Sequence, residues 1–383
     1  MATLRGGDLS RLRQLNSLTA IGALRGAGPL TLSALAERAG LSRPSMKEVV
    51  GELMELGWVE EVPPTQGTMG RPARRYRFRS SSGYLMGLDL GGHNIRAALS
   101  DLDGEVLAET RQPVEPDLPI EERLAAIERA VASTLALGGK SAADVWTVSA
   151  GTIGVVTPEG RIHYCAAIPA WTGLDLAGRL REMFPCQILV ENDSRLAARA
   201  EATRGVARGA DNVVFLHVGR RMGAATIVEG KVLRGSGAAA GEIVMLPEAR
   251  WYDAPEHLHS CPVVPAGVPQ EDAAGFTLAA ARDGDPVALE AVGRYVDDLA
   301  VGTAAMVLLL DPQVVVLGGG LSRSADVLLP PLRERLERRC VRMPEVRAST
   351  LGEECVVVGA LDYAVDHLNT SLFTPDAPLP TSR

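Results

Sequence analysis

The chain has 383 residues, 46% of them hydrophobic and 22% charged, a composition that fits a globular protein with a full-sized core and enough length for two or three domains. The longest nearly uninterrupted apolar run, 299–310, falls well short of the roughly 20 residues of a membrane-spanning helix. The first residues carry Arg5 and Asp8 without a continuous apolar stretch, so no secretory signal is expected and the chain is expected to be cytoplasmic. The net charge of −8 conceals an asymmetry: residues 1–83 hold 12 Lys+Arg against 7 Asp+Glu (+5), leaving 27 against 40 (−13) for the other 300. A small basic head on a large acidic body points to a head that meets a polyanion. The cysteines number five, an odd count with no Cys-x-x-Cys pair, so neither a disulfide framework nor a thiolate zinc site is expected.

In the head, Leu12, Leu15, Leu18, Ile21 and Leu24 form a helical stripe over 9–26, which Gly26 and Gly28-Pro29 end. A second helix is expected over 31–40, closed by Gly40. A third follows, with Ser42 as N-cap, Pro44 in the first turn, and Met46, Val50 and Leu53 facing inward. Helix, short glycine turn, helix is the helix-turn-helix pattern, whose second member enters the DNA major groove. The capping Ser42 and the outward Arg43, Ser45 and Lys47 are therefore the candidate contacts to bases and phosphates. WVEEV and RRYRFR then read as the two strands of a wing carrying Arg71, Arg74, Arg75, Arg77 and Arg79. The tip, Gly70-Arg71-Pro72, resembles the core of AT-hook peptides, in which arginine lies along the narrow minor groove of A·T-rich DNA.

The body alternates strands and helices, so an α/β fold is expected. Residues 84–109 read as strand, Gly-Gly turn, strand, Asp-Gly turn, strand, and 121–137 as a helix. VWTVSAGTIGVV is a strand, DLAGRLREMF a helix, QILVEND a strand ending in Asp193, and SRLAARAEATRG a helix. A second strand–glycine turn–strand unit spans 212–233. Helix 287–310, strand 313–317, Gly318-Gly319-Gly320, helix 325–339, strand 355–358 and helix 359–368 complete the body. Two strand–turn–strand units suggest two related lobes. The last residues, 369–383, rich in Pro and Ser/Thr, are expected to form a disordered tail.

These stretches resemble the ROK family (repressors, open reading frames and sugar kinases), most of all its members with an N-terminal winged helix-turn-helix. The likeness runs through GLDLGGHNIRAAL, IPAWTGLDL, ILVENDSRLAARAE, KVLRGSGAAAGEI, LDPQVVVLGGGLS and LGEECVVVGAL. It implies a DNA-binding domain over 1–82 and a two-lobed, actin-like ATPase (sugar-kinase) fold over 83–368. Homodimers or tetramers that bind operator DNA are implied as well.

By the same resemblance, Asp193 is the carboxylate that deprotonates a sugar hydroxyl in the kinases, and Asn192 and Glu242 hydrogen-bond the sugar. Asp89, Gly91, Gly92, Gly219, Gly318 and Gly319 correspond to the nucleotide site. Two departures bear on catalysis: His93 and Asn94 stand where the kinases have Thr and Lys, and Gly219-Arg220-Arg221-Met222-Gly223 where they have Gly-Thr-Gly-x-Gly. Arginine puts a bulky side chain where the kinases bring bare backbone to the phosphates. The ATP site therefore reads as degraded and Asp193 as a vestigial base.

Ala167 replaces a sugar-contacting Asn, and Met245 replaces a zinc-ligating His whose partner cysteines are also missing. His257, His259 and Cys261 remain as local ligand candidates, read as an exposed polar loop, and no zinc is expected. Trp171 reads as a buried loop anchor. The expectation is thus a regulator of the repressor type that binds operator DNA with A·T-rich flanks and senses a sugar-like effector. A bifunctional sugar kinase, and a regulator whose body binds no sugar or takes an anionic compound on Arg220 and Arg221, are the competing readings.

Overall fold

A computed structural model describes residues 9–63 and 73–371, together with 373, 374, 379 and 381. The head is built from α1 (Leu9–Leu24), β1 (Leu30–Thr31), α2 (Leu32–Ala39), α3 (Arg43–Glu55), β2 (Val59–Val62) and β3 (Arg75–Phe78). The strands form one antiparallel sheet in the order β1-β3-β2, so the helix-turn-helix carries a winged hairpin. Thr31 caps α2 and Gly40 ends it in the left-handed conformation. Ser42 caps α3 by accepting a hydrogen bond from the Ser45 N–H, which satisfies a donor the helix leaves open.

The first lobe of the body comprises β4 (Tyr84–Leu90), β5 (Asn94–Asp101), β6 (Val106–Pro113), α4 (Ile120–Leu137), β7 (Val145–Thr152), β8 (Val155–Val156), β9 (Ile162–Tyr164), α5 (Leu176–Arg181) and β10 (Gln187–Asn192). The next helix, α6 (Asp193–Thr203), leads to the second lobe. That lobe contains β11 (Val213–Val218), β12 (Met222–Val228), β13 (Lys231–Val232), α7 (Glu256–His259), α8 (Gln270–Arg282), α9 (Pro286–Leu310), β14 (Val314–Gly318), α10 (Ala325–Glu337) and β15 (Glu345–Ala348), and the chain closes with α11 (Cys355–Ser371).

The two central sheets share one topology. In the first, β6, β5 and β4 form an antiparallel meander, and β7 and β10 add in parallel beside β4. In the second, β13, β12 and β11 form the meander, and β14 and β15 add in parallel beside β11. The two turns of the glycine motifs, β4–β5 and β11–β12, thus occupy equivalent places in two lobes.

Helices α6 and α11 pack against each other. At their crossing a Cβ on Gly359 would lie 1.8 Å from the Leu196 carbonyl oxygen, so only glycine allows the two backbones to approach this closely. α11 also lies on the first sheet, and its Val357, Leu361 and Leu368 enter a core shared with Trp58, Val59 and Phe78 of the head. Head and body are therefore joined through buried apolar surface.

Two expectations are corrected here. Residues 355–358 are the first turn of α11 and not a strand; the missing edge strand is β15. A short, wholly apolar run has no period to distinguish the two states, and the burial of Cys355, Val356 and Val357 against α6 and the sheets decides for helix. The tail, in its described part, is packed: the helix continues to Ser371, and Phe373 and Leu379 sit on the head's core. Their apolar side chains have a surface to bury against, which the Pro and Ser/Thr content did not reveal.

Candidate functional site

Between the lobes, the ends of β4, β10 and the two glycine turns converge. Asp89 sits near the end of β4, and Asn192 ends β10 and caps α6, whose first residue is Asp193. The Asn192 Oδ1 accepts from the Arg195 N–H at 3.2 Å and its Nδ2 donates to the Gly154 carbonyl at 3.1 Å. Asn192 is nearly buried and is largely occupied in shaping the site. Asp193 is half-buried, and its Oδ1 accepts from the Ser194 N–H at 2.6 Å and the Ser194 hydroxyl at 3.2 Å. The other carboxyl oxygen is left to the cleft.

Asp89, Asp193 and Glu242 form one electrostatic group. Burial, then the Asp193 charge, pushes the Asp89 carboxyl up to about 7. Burial, again followed by Asp193, raises Glu242, and Arg195 opposes that shift. Desolvation and a like neighbouring charge both favour the protonated acid. Such a group offers both donors and acceptors, the pattern a polyhydroxylated ligand needs to satisfy its own groups on burial.

Arginines hold this frame. Buried Arg195 donates to Glu191 at 3.1 Å and to the Ala238 and Ala240 carbonyls at 2.7 and 3.1 Å, which fixes the loop carrying Glu242. Arg234 pairs with the other oxygen of Glu191 and donates to the Tyr363 hydroxyl at 2.8 Å. Arg123, fully buried, donates from its two terminal nitrogens to the Gly91 and Gly92 carbonyls at 2.9 Å each and lies over the Trp171 ring. Trp171 is itself fully buried and is a loop anchor. Sequence reasoning missed Arg195 and Arg123; the spacing Glu191-x-x-x-Arg195 across the strand–helix junction was the available signal for the first, and none marked the second.

The second lobe's turn faces the first. Gly219 donates its N–H to the Arg221 carbonyl at 3.1 Å, closing the turn. Arg221 then crosses the cleft: its Nη2 donates to the Ala167 carbonyl of the first lobe at 2.9 Å. Arg220 lies 3.7 Å from Glu271. Burial lowers His93 to about 4, and the charges of Arg220 and Arg221 push in the same direction, placing the His93 turn opposite the arginine pair. Gly318 and Gly319 line the same side; Gly319 has φ +82°, and a Cβ there would meet the Val218 carbonyl at 2.5 Å. Arg96 at 2.8 Å and Arg111 at 3.2 Å bind Glu353, which stands just before α11.

The local ligand candidates His257, His259 and Cys261 are engaged within the fold. His257 gives its Nε2 to Asp298 at 3.0 Å, His259 follows on the short α7, and Cys261 is buried. The polar-loop expectation is corrected: this is a helical turn anchored by Leu258 and by the His257–Asp298 contact. Among the described residues, no three His, Cys, Asp or Glu side chains converge in a way that could hold a metal ion.

On the head, Arg43 and Lys47 project from α3 into solvent, while the Ser42 and Ser45 hydroxyls bond each other at 2.8 Å. Arg74 is exposed and pairs with Glu61 at 3.2 Å across the hairpin. Arg75 is half-buried on β3, opposite Thr31 and Val62. Arg71 lies outside the described residues.

A winged helix-turn-helix head sharing a core with a two-lobed, sugar-kinase-like body defines the class of protein. Residues 85–249 and 268–366 match the ROK family, and residues 15–63 match the IclR helix-turn-helix domain. The chain belongs to the ROK family. It is 26% identical over 372 residues to the DNA-binding transcriptional dual regulator NagC of Escherichia coli K12, a match covering 89% of this chain and 90% of that one. It is 29% identical over 307 residues to a glucokinase of Thermotoga maritima, covering 72% of this chain and 95% of the enzyme.

Among solved structures, a ROK family transcriptional regulator described as a homolog of the E. coli MLC protein has the same fold. The TM-score is 0.70 at 20% identity, over 93% of this chain and 97% of that one. A ROK family glucokinase from Streptomyces griseus in complex with glucose and AMPPNP is similar at TM-score 0.64 and 26% identity, over 74% of this chain and all of that one. No helix of the described residues is long and apolar enough to cross a membrane.

Proposed function

We propose that this ROK protein is a transcriptional regulator of the repressor type whose cleft senses a sugar-like ligand and transfers no phosphate. The observation that carries the reading is Arg221, which spans the cleft to the Ala167 carbonyl from the turn where a kinase needs bare backbone around the phosphates. With His93 opposite and neutral, the cleft lacks the charge and the close backbone approach on which phosphoryl transfer depends. Asp193 and Glu242 remain as ligand contacts, with Asn192 as their scaffold. Neither zinc nor ATP is required for this role.

The head, acting from a homodimer or tetramer, binds a pseudo-palindromic operator with half-sites roughly 34–36 Å apart or a multiple of that. Arg43, Lys47, Arg74 and Arg75 meet the duplex, and Arg71 reaches A·T-rich flanks. A ligand in the cleft shifts operator affinity by its differential affinity for the two body arrangements. Similarity to NagC over both head and body supports this reading, as does the uninterrupted core between them. The bifunctional-kinase alternative rests on the retained Asp193.

One pair of measurements separates them. Duplex selection with the full chain, read by fluorescence anisotropy, is expected to yield a specific site. ATP-dependent phosphorylation of glucose and N-acetylglucosamine is expected to stay at background. Turnover that disappears in Asp193→Ala would establish the kinase instead.

A further inference from the structure

The recognition helix carries a carboxylate where DNA-facing helices usually carry cations or amides. In α3, Met46, Val49, Val50 and Leu53 are buried. At about 100° per residue, the direction opposite to them passes through Pro44, Glu48, Gly51 and Glu55. Arg43 and Lys47 flank this line on one side and Glu52 on the other. Pro44 offers no donor or acceptor outward, and Gly51 has no side chain, with open space within 4 Å of where a Cβ would stand. Glu55 is the last residue of the helix. Within the first two turns, therefore, Glu48 is the one side chain on the central outward line that can form a hydrogen bond. It is exposed, and among the described residues it has no hydrogen-bond or ion-pair partner.

Phosphates repel a carboxylate, so a helix with this face in a groove is favourable only if Glu48 finds a donor. In the major groove the donors are base amino groups, and the cytosine N4 amino group is the one glutamate commonly reads. Open space at Gly51, one turn further on, lets the helix backbone approach the bases. We infer that Glu48 is a specificity-determining residue that accepts a hydrogen bond from a cytosine amino group in each half-site, while Arg43 and Lys47 bind flanking phosphates. This inference rests on the proposed DNA-binding role of the head.

The test is duplex selection from a randomised pool with the full chain and with Glu48→Ala and Glu48→Gln. Both variants should keep the wild-type fold, because Glu48 is exposed and its removal relieves repulsion from Glu52. The wild type is expected to require cytosine at one position per half-site, discriminating against other bases by roughly 5- to 150-fold. Glu48→Ala is expected to lose preference at that position alone, and Glu48→Gln to move it towards adenine. If both variants keep the wild-type base preference and only bind every duplex more tightly, Glu48 is a mere repulsive charge and the inference fails. If the wild type itself selects no duplex, the failure belongs to the DNA-binding reading.

Discussion

Phe373 packs edge-on against Trp58, with ring centroids 5.2 Å apart and planes at 75°, so the segment following α11 is fastened beneath the head's hairpin. Phe78 stacks on the same indole, at 6.1 Å and 4°. Arg25 completes the junction: it binds Asp103 at 3.0 Å and the Leu102 carbonyl, and lies over Phe78 and Phe373 at 5.2 and 5.6 Å. The other end of α11 starts beside Glu353, which Arg96 and Arg111 hold at the cleft. A helix of 17 residues, about 25 Å long, thus runs from the cleft between the lobes to the helix-turn-helix head.

Phe373→Ala is expected to loosen the head without unfolding the lobes, at a cost of roughly 1–3 kcal/mol for a half-buried aromatic in an edge-on cluster. Thermal melts combined with limited proteolysis between residues 79 and 84 measure it. An unchanged melt and an unchanged cleavage rate would show that the junction does not depend on this ring.

The α6–α11 crossing gives a sharper expectation. Gly359→Ala places a methyl group where 1.8 Å separates it from the Leu196 carbonyl, and should destabilise by roughly 2–3 kcal/mol as the two helices are forced apart. Gly275→Ala is the matched control: it lies in α8 with nothing within 4 Å of the new methyl, and should gain about 0.5–1 kcal/mol. Urea unfolding of both variants decides whether close backbone approach, rather than glycine as such, matters at 359.

Much of this was legible in the sequence. The N-cap at Ser42, the inward face of α3 and the two strand–glycine turn–strand units follow from capping chemistry and apolar period, and these are local properties. The run 355–358 was misread because Cys355, Val356 and Val357 are all buried, so no alternation or stripe marks their state. β15 escaped because its side chains are mostly partly exposed and carry no apolar signature. In the cleft, the residue types at 89, 192, 193 and 242 were readable from motif resemblance. What no local pattern contains is the reach of Arg221 to Ala167, or of Arg123 to two glycine carbonyls, because long side chains meet such partners only after the lobes have packed. The capping and strapping role of Asn192 was hidden for the same reason: its partner Gly154 is 38 residues away.

The cleft should leave a mark on the pH dependence of stability. Asp89 is raised from 3.8 to about 7, so the folded state holds this proton more tightly than the unfolded chain. The resulting stabilisation is complete below about pH 4 and is lost as the pH rises through 7. Asp89→Asn should abolish that decline and be more stable than wild type at pH 8 by up to about 4 kcal/mol. His93 runs the other way: lowered from 6.5 to about 4, it costs stability as the pH falls from 6.5 to 4, and His93→Gln should remove that acid-side loss. Urea midpoints collected from pH 4 to 8 test both slopes, and parallel curves for wild type and Asp89→Asn would contradict the raised carboxyl.

If the head grips duplex phosphates, its affinity must follow counterion release. The logarithm of the association constant should fall linearly with the logarithm of salt concentration, with a slope of about −0.9 per neutralised phosphate. Arg43 and Lys47 are exposed on the first turns of α3. Replacing either with alanine should therefore flatten the slope by about 1 and weaken binding to all sequences alike, since phosphate contacts carry no base information. Arg179→Ala, which removes a partly exposed cation of the body paired with Glu121 at 2.7 Å, should leave the slope unchanged. Anisotropy titrations between 50 and 200 mM salt, a range over which phosphate-dominated binding changes by orders of magnitude, supply the measurement. Equal slopes for wild type and Lys47→Ala would place α3 away from the phosphates, and a flattened slope for Arg179→Ala would bring the body to the DNA.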